Sequence, residues 1–171
     1  AGWRRRTSAR RFEGRSTEGH FVSNTFRVAS WNINSVRLRM PLVERFLGEE
    51  APDLLCLQET KVRDAEFPLA AVRKTGYEHV EINGQKGYHG VAVLSRWPLE
   101  TIERRGFCAK GDARHICVRV TDGPAKGVTV HNFYVPAGGD EPDPEVNEKF
   151  AHKLAFVDEM RDWFRDHRVG A

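Results

Sequence analysis

Glu59 ends a run in which four apolar residues, Leu54-Leu55-Cys56-Leu57, pass directly into Gln58-Glu59-Thr60-Lys61. A short apolar run after Pro52-Asp53 has the pattern of a strand buried on both faces of a sheet. Its C-terminal end carries Glu59 to a sheet rim, where layered α/β folds place ligand sites. Burying an unpaired carboxylate is costly, so a metal ion or a cationic partner is the physical reason for an acid there. A second strand, Phe26–Trp31, ends in Asn32-Ile33-Asn34, whose two amides fall on one side of an extended chain. A third, Gly127–Phe133, ends in Tyr134-Val135-Pro136. Three strand ends thus present Asn, Glu and Tyr, oxygen-bearing groups suited to a hard divalent cation and a phosphate oxygen. Other readings stay open for each residue: Glu59 paired with Lys61 or Arg37, Asn32 as a turn cap, Tyr134 with its ring in the core.

The elements that must position these groups follow from periodicity. A helix is expected near Pro41–Glu50, where Leu42, Val43, Phe46 and Leu47 recur at helical spacing, and a short one at Pro68–Thr75 before Gly76. Strands are expected at Tyr77–Ile82, Gly90–Ser95, Thr101–Arg105, His115–Val120 and Gly127–Tyr134. A long helix over about Pro144–His167 would carry an apolar stripe of Val146, Phe150, Leu154, Val157, Met160 and Phe164. The acids Asp140, Glu141, Asp143 and Glu145 would occupy its first turn, where the helix dipole favours them. Trp31, Trp97 and Trp163 are expected to pack.

At 171 residues and 40% hydrophobic residues the chain has the length and composition of one domain. Residues 1–25 hold six arginines against two glutamates, which leaves +4 there and −1 for the remainder of a chain whose total is +3. This basic leader reads as disordered, either a solvated segment or a nucleic-acid-binding arm. Its arginines precede no apolar segment of the export-signal type, and no run is long enough to span a bilayer. Three cysteines without a CxxC pair argue for a reducing compartment and a cytoplasmic protein. Cys56 and Cys117 read as core.

The segments FRVASWNINSVRLR, PDLLCLQETKV, INGQKGYHGVAVLS and VHNFYVPAGG, in this order, resemble the exonuclease III family. That family comprises bacterial abasic-site endonucleases within the deoxyribonuclease I-like superfamily of metal-dependent phosphoesterases, and the likeness runs over roughly residues 26–168. The resemblance implies an α/β fold, one half of a four-layer sandwich in which a mixed sheet is covered by helices. It implies Mg²⁺ or Mn²⁺ held by Glu59 with help from Asn32, and Asn34 steadying that site from one sphere further out. Tyr134 would face the scissile phosphate as the catalytic tyrosine. Arg37, Lys61, Lys86 and Arg114 would touch the DNA backbone, whereas His89 is given no catalytic role. The implied activity is 3′–5′ exonuclease and abasic-site endonuclease action on double-stranded DNA with abasic sites or 3′ ends, by a protein monomeric at full length.

Relatives carry Gly-Asp-x-Asn, a further Asp and Ser-Asp-His downstream, and none of these is found here. Residues 26–171 are therefore expected to be the N-terminal part of an endonuclease/exonuclease/phosphatase domain, with strands for one sheet only. Such a fragment would expose the sheet's apolar inner face, aggregate, and lack nuclease activity. Two rivals remain at this stage: an inositol-phosphate or sphingomyelin phosphoesterase of the same superfamily, and a non-catalytic nucleic-acid-binding fragment.

Overall fold

The computed structural model describes residues 9–12 and 24–169. The first sheet contains β1 (Ala9–Phe12), β2 (Asn24–Asn32), β3 (Leu54–Gln58), β4 (His79–Asn83) and β5 (Val91–Ser95), in the order β1-β2-β3-β5-β4. Strands β2 and β3 run parallel, so their C-terminal ends reach the same rim. Helix α1 (Val36–Glu49) makes the crossover between them, and α2 (Leu69–Arg73) lies between β3 and β4. The second sheet is the antiparallel meander β6 (Leu99–Glu103), β7 (His115–Val120) and β8 (Thr129–Phe133). Helix α3 (Glu148–Val169) ends the described chain.

Side-chain alternation sets the layers. Leu55 and Leu57 of β3 join Val36, Met40, Val43 and Leu47 of α1 in one core. Leu54 and Cys56, on the opposite face, meet Ile116, Val118 and Val120 of β7 in another. The outer face of the second sheet packs through Phe133 on Phe156 and Trp163 of α3, with Phe107 beside them. The order is helix, sheet, sheet, helix: the four-layer α/β sandwich.

Several expectations need correction. The strands form two sheets instead of one, because alternation along β7 marks a buried face without saying which sheet it covers. The inner face of the first sheet is consequently covered within the chain: Leu54, Val91 and Val93 are 0% exposed and Phe26 and Cys56 are 5% exposed. Among the described residues, the anticipated open apolar patch on that face is not found. Part of the leader, Ala9–Phe12, pairs antiparallel with Asn24–Arg27, where the outer edge of β2 offers unpaired backbone groups; Asn24 and Thr25, its last two residues, open β2 itself, and residues 1–8 and 13–23 lie outside the described residues.

Helix α1 starts at Val36, with Pro41 inside it. Its start is supported from β3's end, since Ser35 N–H donates to Glu59 O at 2.7 Å and Val36 N–H to Thr60 O at 3.1 Å. Asp140, Glu141, Asp143 and Glu145 precede α3, which is capped by Asn147: its Oδ1 accepts from the N–H groups of Lys149 (3.0 Å) and Phe150 (3.3 Å). The stripe anticipated on α3 is also displaced. Phe156 and Trp163, seven residues apart, form the buried seam, whereas Val146 is 73% and Leu154 41% exposed.

Candidate active site

The site forms where β2, β3 and β8 end together. Glu59 is the first residue past β3, at φ +55°, a left-handed conformation that a residue with a Cβ adopts at some cost. Asn34 (φ +48°), Ser35 (+84°), Lys61 (+55°) and His89 (+51°) share that property. Such a concentration of strained backbone is a mark of a functional rim. The strain is held by cross-links between segments: Thr60 N–H donates to Gly90 O at 3.1 Å, and Lys61 N–H to His89 O at 3.0 Å. Gly90 is required there, because a Cβ would collide with the Thr60 hydroxyl and its own φ is +83°.

The side chains converge on Glu59. The Asn32 amide donates to Glu59 Oε1 at 2.7 Å, and Lys61 Nζ stands 3.0 Å from Oε2. The Tyr134 hydroxyl is also hydrogen-bonded to this carboxylate. Lys61 Nζ donates in addition to Asn34 Oδ1 at 2.5 Å, and Asn34 N–H donates to Asn32 Oδ1 at 3.2 Å. Partial burial pushes the Glu59 carboxyl up, but the hydrogen bonds from Asn32, Lys61 and Tyr134 and the Lys61 charge outweigh it. The net pKa lies below the ordinary carboxylate value, so the group is ionised at neutral pH. Burial, reinforced by the Glu59 hydrogen bond and charge, pushes the Tyr134 phenol up and keeps it a protonated donor.

Beneath the rim a buried amide pair joins the two sheets. Gln58 Nε2 donates to Asn132 Oδ1 at 2.7 Å and to Ser30 Oγ at 3.0 Å. Asn132 Nδ2 donates across to the carbonyls of Leu57 (3.0 Å) and Ala92 (2.9 Å). Gln58 directly precedes Glu59 and Asn132 lies two residues before Tyr134, so this pair fixes the gap between carboxylate and phenol.

The donor set can be tested against a hard cation. Among the described residues no group of three or more His, Cys, Asp or Glu forms a metal cage. One ionised carboxylate is present, at a polar rim. Mg²⁺ characteristically takes one or two carboxylates and leaves its other positions to water and substrate phosphate. Glu59 fits that role, and the site does not resemble a closed structural metal centre.

A model of the endonuclease/exonuclease/phosphatase family matches residues 29–169. The chain belongs to that family. Exodeoxyribonuclease III of Haemophilus influenzae is 37% identical over 137 residues, covering 78% of this chain and 49% of the relative. An AP endonuclease from Archaeoglobus fulgidus superposes with a TM-score of 0.69 at 33% identity, over 81% of this chain and 51% of the other. The 3′ phosphatase NExo from Neisseria, bound to a product DNA hairpin, gives 0.66 at 31% identity, over 83% and 52%. The chain therefore spans about half the length of these relatives.

Of the site residues expected from sequence, this member of the family brings Asn32, Asn34, Glu59, Lys61 and Tyr134 into one hydrogen-bonded cluster. Arg37, in the first turn of α1, and Lys86, in the loop before β5, are exposed and stand outside it. Arg114 is only 8% exposed, and its guanidinium is committed inward. Gln58, Asn132 and Asp112 carry structural weight at the site that sequence reading did not assign. A signal existed for the first two, since an amide within an apolar strand must find buried partners.

Proposed function

We propose that this chain carries the metal-binding and phosphate-facing part of a DNA-repair phosphodiesterase of the exonuclease III type. The substrate would be double-stranded DNA with abasic sites or 3′ ends, cleaved 5′ to the abasic site or trimmed from the 3′ end. The observation that carries this reading is the ionised Glu59 held jointly by Asn32, Lys61 and Tyr134 at one sheet rim. The names of the relatives, an exodeoxyribonuclease III, an AP endonuclease and a 3′ phosphatase with product DNA, support the choice of substrate.

Glu59 would hold the Mg²⁺ or Mn²⁺, with Asn32 orienting the carboxylate and Asn34 orienting Asn32. The chemistry supplied by such an ion is polarisation of the phosphate and stabilisation of the leaving 3′-oxygen. The Tyr134 phenol would donate a hydrogen bond to a phosphate oxygen as negative charge grows on it. Lys61 would shift from Glu59 toward the DNA backbone when the cation arrives, joined there by Arg37 and Lys86. A monomeric whole protein accompanies this reading, as does a cytoplasmic location, which three free cysteines support. No described helix is long and apolar enough to cross a membrane.

Mn²⁺ titration followed by electron paramagnetic resonance tests the reading directly. One bound ion per chain is expected, lost in Glu59→Gln, together with metal-dependent affinity for an abasic duplex. The 171-residue chain is not expected to incise that duplex. Metal binding that persists unchanged in E59Q would refute the assignment.

A further inference from the structure

Arg114 begins as a contradiction. An arginine beside a DNA-facing rim is expected to reach solvent, yet this one is buried at 8% exposure. Its Nε donates to Asp112 Oδ2 at 3.0 Å, and its Nη1 donates to the Tyr134 carbonyl at 3.2 Å. The guanidinium carbon lies 4.7 Å from the centre of the Tyr134 ring, and the same group is hydrogen-bonded to the phenol. The backbones are tied as well, Tyr134 N–H donating to Arg114 O at 2.7 Å. Asp112 is shared, since His89 Nε2 stands 3.4 Å from its other oxygen.

A tyrosine ring at a strand end has free rotation unless something grips it. Here the guanidinium does so at three places: the ring face, the hydroxyl and the main-chain carbonyl. Only a planar fork with several fixed donors manages all three at once; an ammonium does not. The opposite charge of Asp112 offsets part of the cost of burying the cation and fixes its plane. Few of its donors remain for a phosphate.

We propose that Arg114, anchored by Asp112, is a positioning residue that holds the Tyr134 ring and hydroxyl against Glu59, instead of a direct DNA contact. This deepens the reading of Tyr134 as the phosphate-facing group and rests on it. Its immediate content, however, is the coupling between Arg114, Tyr134 and Glu59, which exists without DNA or metal.

The test uses the whole chain labelled with 3-fluorotyrosine and observed by ¹⁹F NMR at neutral pH, with neither metal nor nucleic acid. The Tyr134 line is identified by its loss in Y134F; Tyr77 and Tyr88 supply the other two lines and report on the fold. Wild type is expected to give one sharp Tyr134 line that moves when Glu59→Gln is introduced. In Arg114→Lys, which keeps the charge but not the fork, the line is expected to broaden or split and to lose its response to E59Q. The Tyr77 and Tyr88 lines should stay in place. Asp112→Asn should act in the same direction. An R114K line as sharp as wild type, with an undiminished response to E59Q, overturns the proposal. If R114K also scatters the Tyr77 and Tyr88 lines through loss of fold, the D112N protein decides by the same criterion. Failure of the E59Q protein to lose metal would count against the nuclease reading and leave this result untouched.

Discussion

Two polar regions of this molecule handle their ionisable groups in opposite ways. At the rim, Glu59 has three donors around one carboxylate and remains charged. Under α3, His115 is fully buried with its Nε2 3.1 Å from His131 Nδ1, and its Nδ1 has no partner among the described residues. Its ring stacks on Phe133 at 4.3 Å and meets Trp163 edge-on at 5.7 Å. Burial, then the proximity of His131 and Arg105, pushes the His115 pKa down from 6.5 to about 4, so it stays neutral. One region keeps a carboxylate charged at a polar rim. The other keeps a buried imidazole neutral against the rings of α3.

The largest expected effect breaks the α3 side. Phe156 is 0% exposed and packs on Phe107 at a ring separation of 4.9 Å. Phe156→Ala should cost about 3–5 kcal/mol, read as a fall in the urea midpoint. The Mn²⁺ stoichiometry of whatever remains folded should not change. An equal loss of metal sites would mean that the two regions are one unit.

Acid separates them next. His115 has a depressed pKa in the folded state, so its contribution is complete above 6.5 and disappears as pH falls toward about 4. Protonation of the unfolded chain over that window should remove about 3 kcal/mol. His131 is lowered chiefly by burial and His89 likewise, so both act in the same direction. Glu59 is also lowered, but its contribution is lost only below the ordinary carboxylate value of 4.5. Chemical denaturation at a series of pH values should therefore show losses from the histidines first. His115→Phe should flatten the slope between 6.5 and about 4 without altering it below. An unchanged slope would remove His115 from the explanation.

The smallest effect is at the rim. Lys86 is exposed, and Lys86→Ala should leave stability within about 0.5 kcal/mol of wild type. It should weaken binding to an abasic duplex and reduce the salt slope of the affinity by about one. A constant slope would place Lys86 outside the DNA path.

The sequence was legible where side-chain type and strand period coincide. His115–Val120 is a strand with the expected bounds, and the apolar run ending at Glu59 is buried along its whole length. The Asn32, Glu59 and Tyr134 cluster was readable because polar groups at strand ends have few other reasons to lie there. Its partners were less visible. Nothing local distinguishes Arg114 from an exposed arginine, since its burial depends on Asp112 and on the path of β8. The division into two sheets was hidden because alternation reports that a face is covered, not by what. On α3 the periodic reading took in Val146 and Leu154 and passed over Phe156, whereas the larger ring area of Phe156 and Trp163 determined the buried side, with Met160 and Phe164 of the expected stripe packed beside them.

The Gln58–Asn132 pair has one more consequence. The Gln58 Nε2 reaches Asn132 Oδ1 while Asn132 Nδ2 reaches the Leu57 and Ala92 carbonyls, so the spacing of the opposing strand tips is gauged from inside the protein, by the length of two short side chains. Solvent, ionic strength and the sway of outer loops have little purchase on a calliper set in dry surroundings. The reach from carboxylate to phenol is thus fixed by the fold itself, with nothing bound.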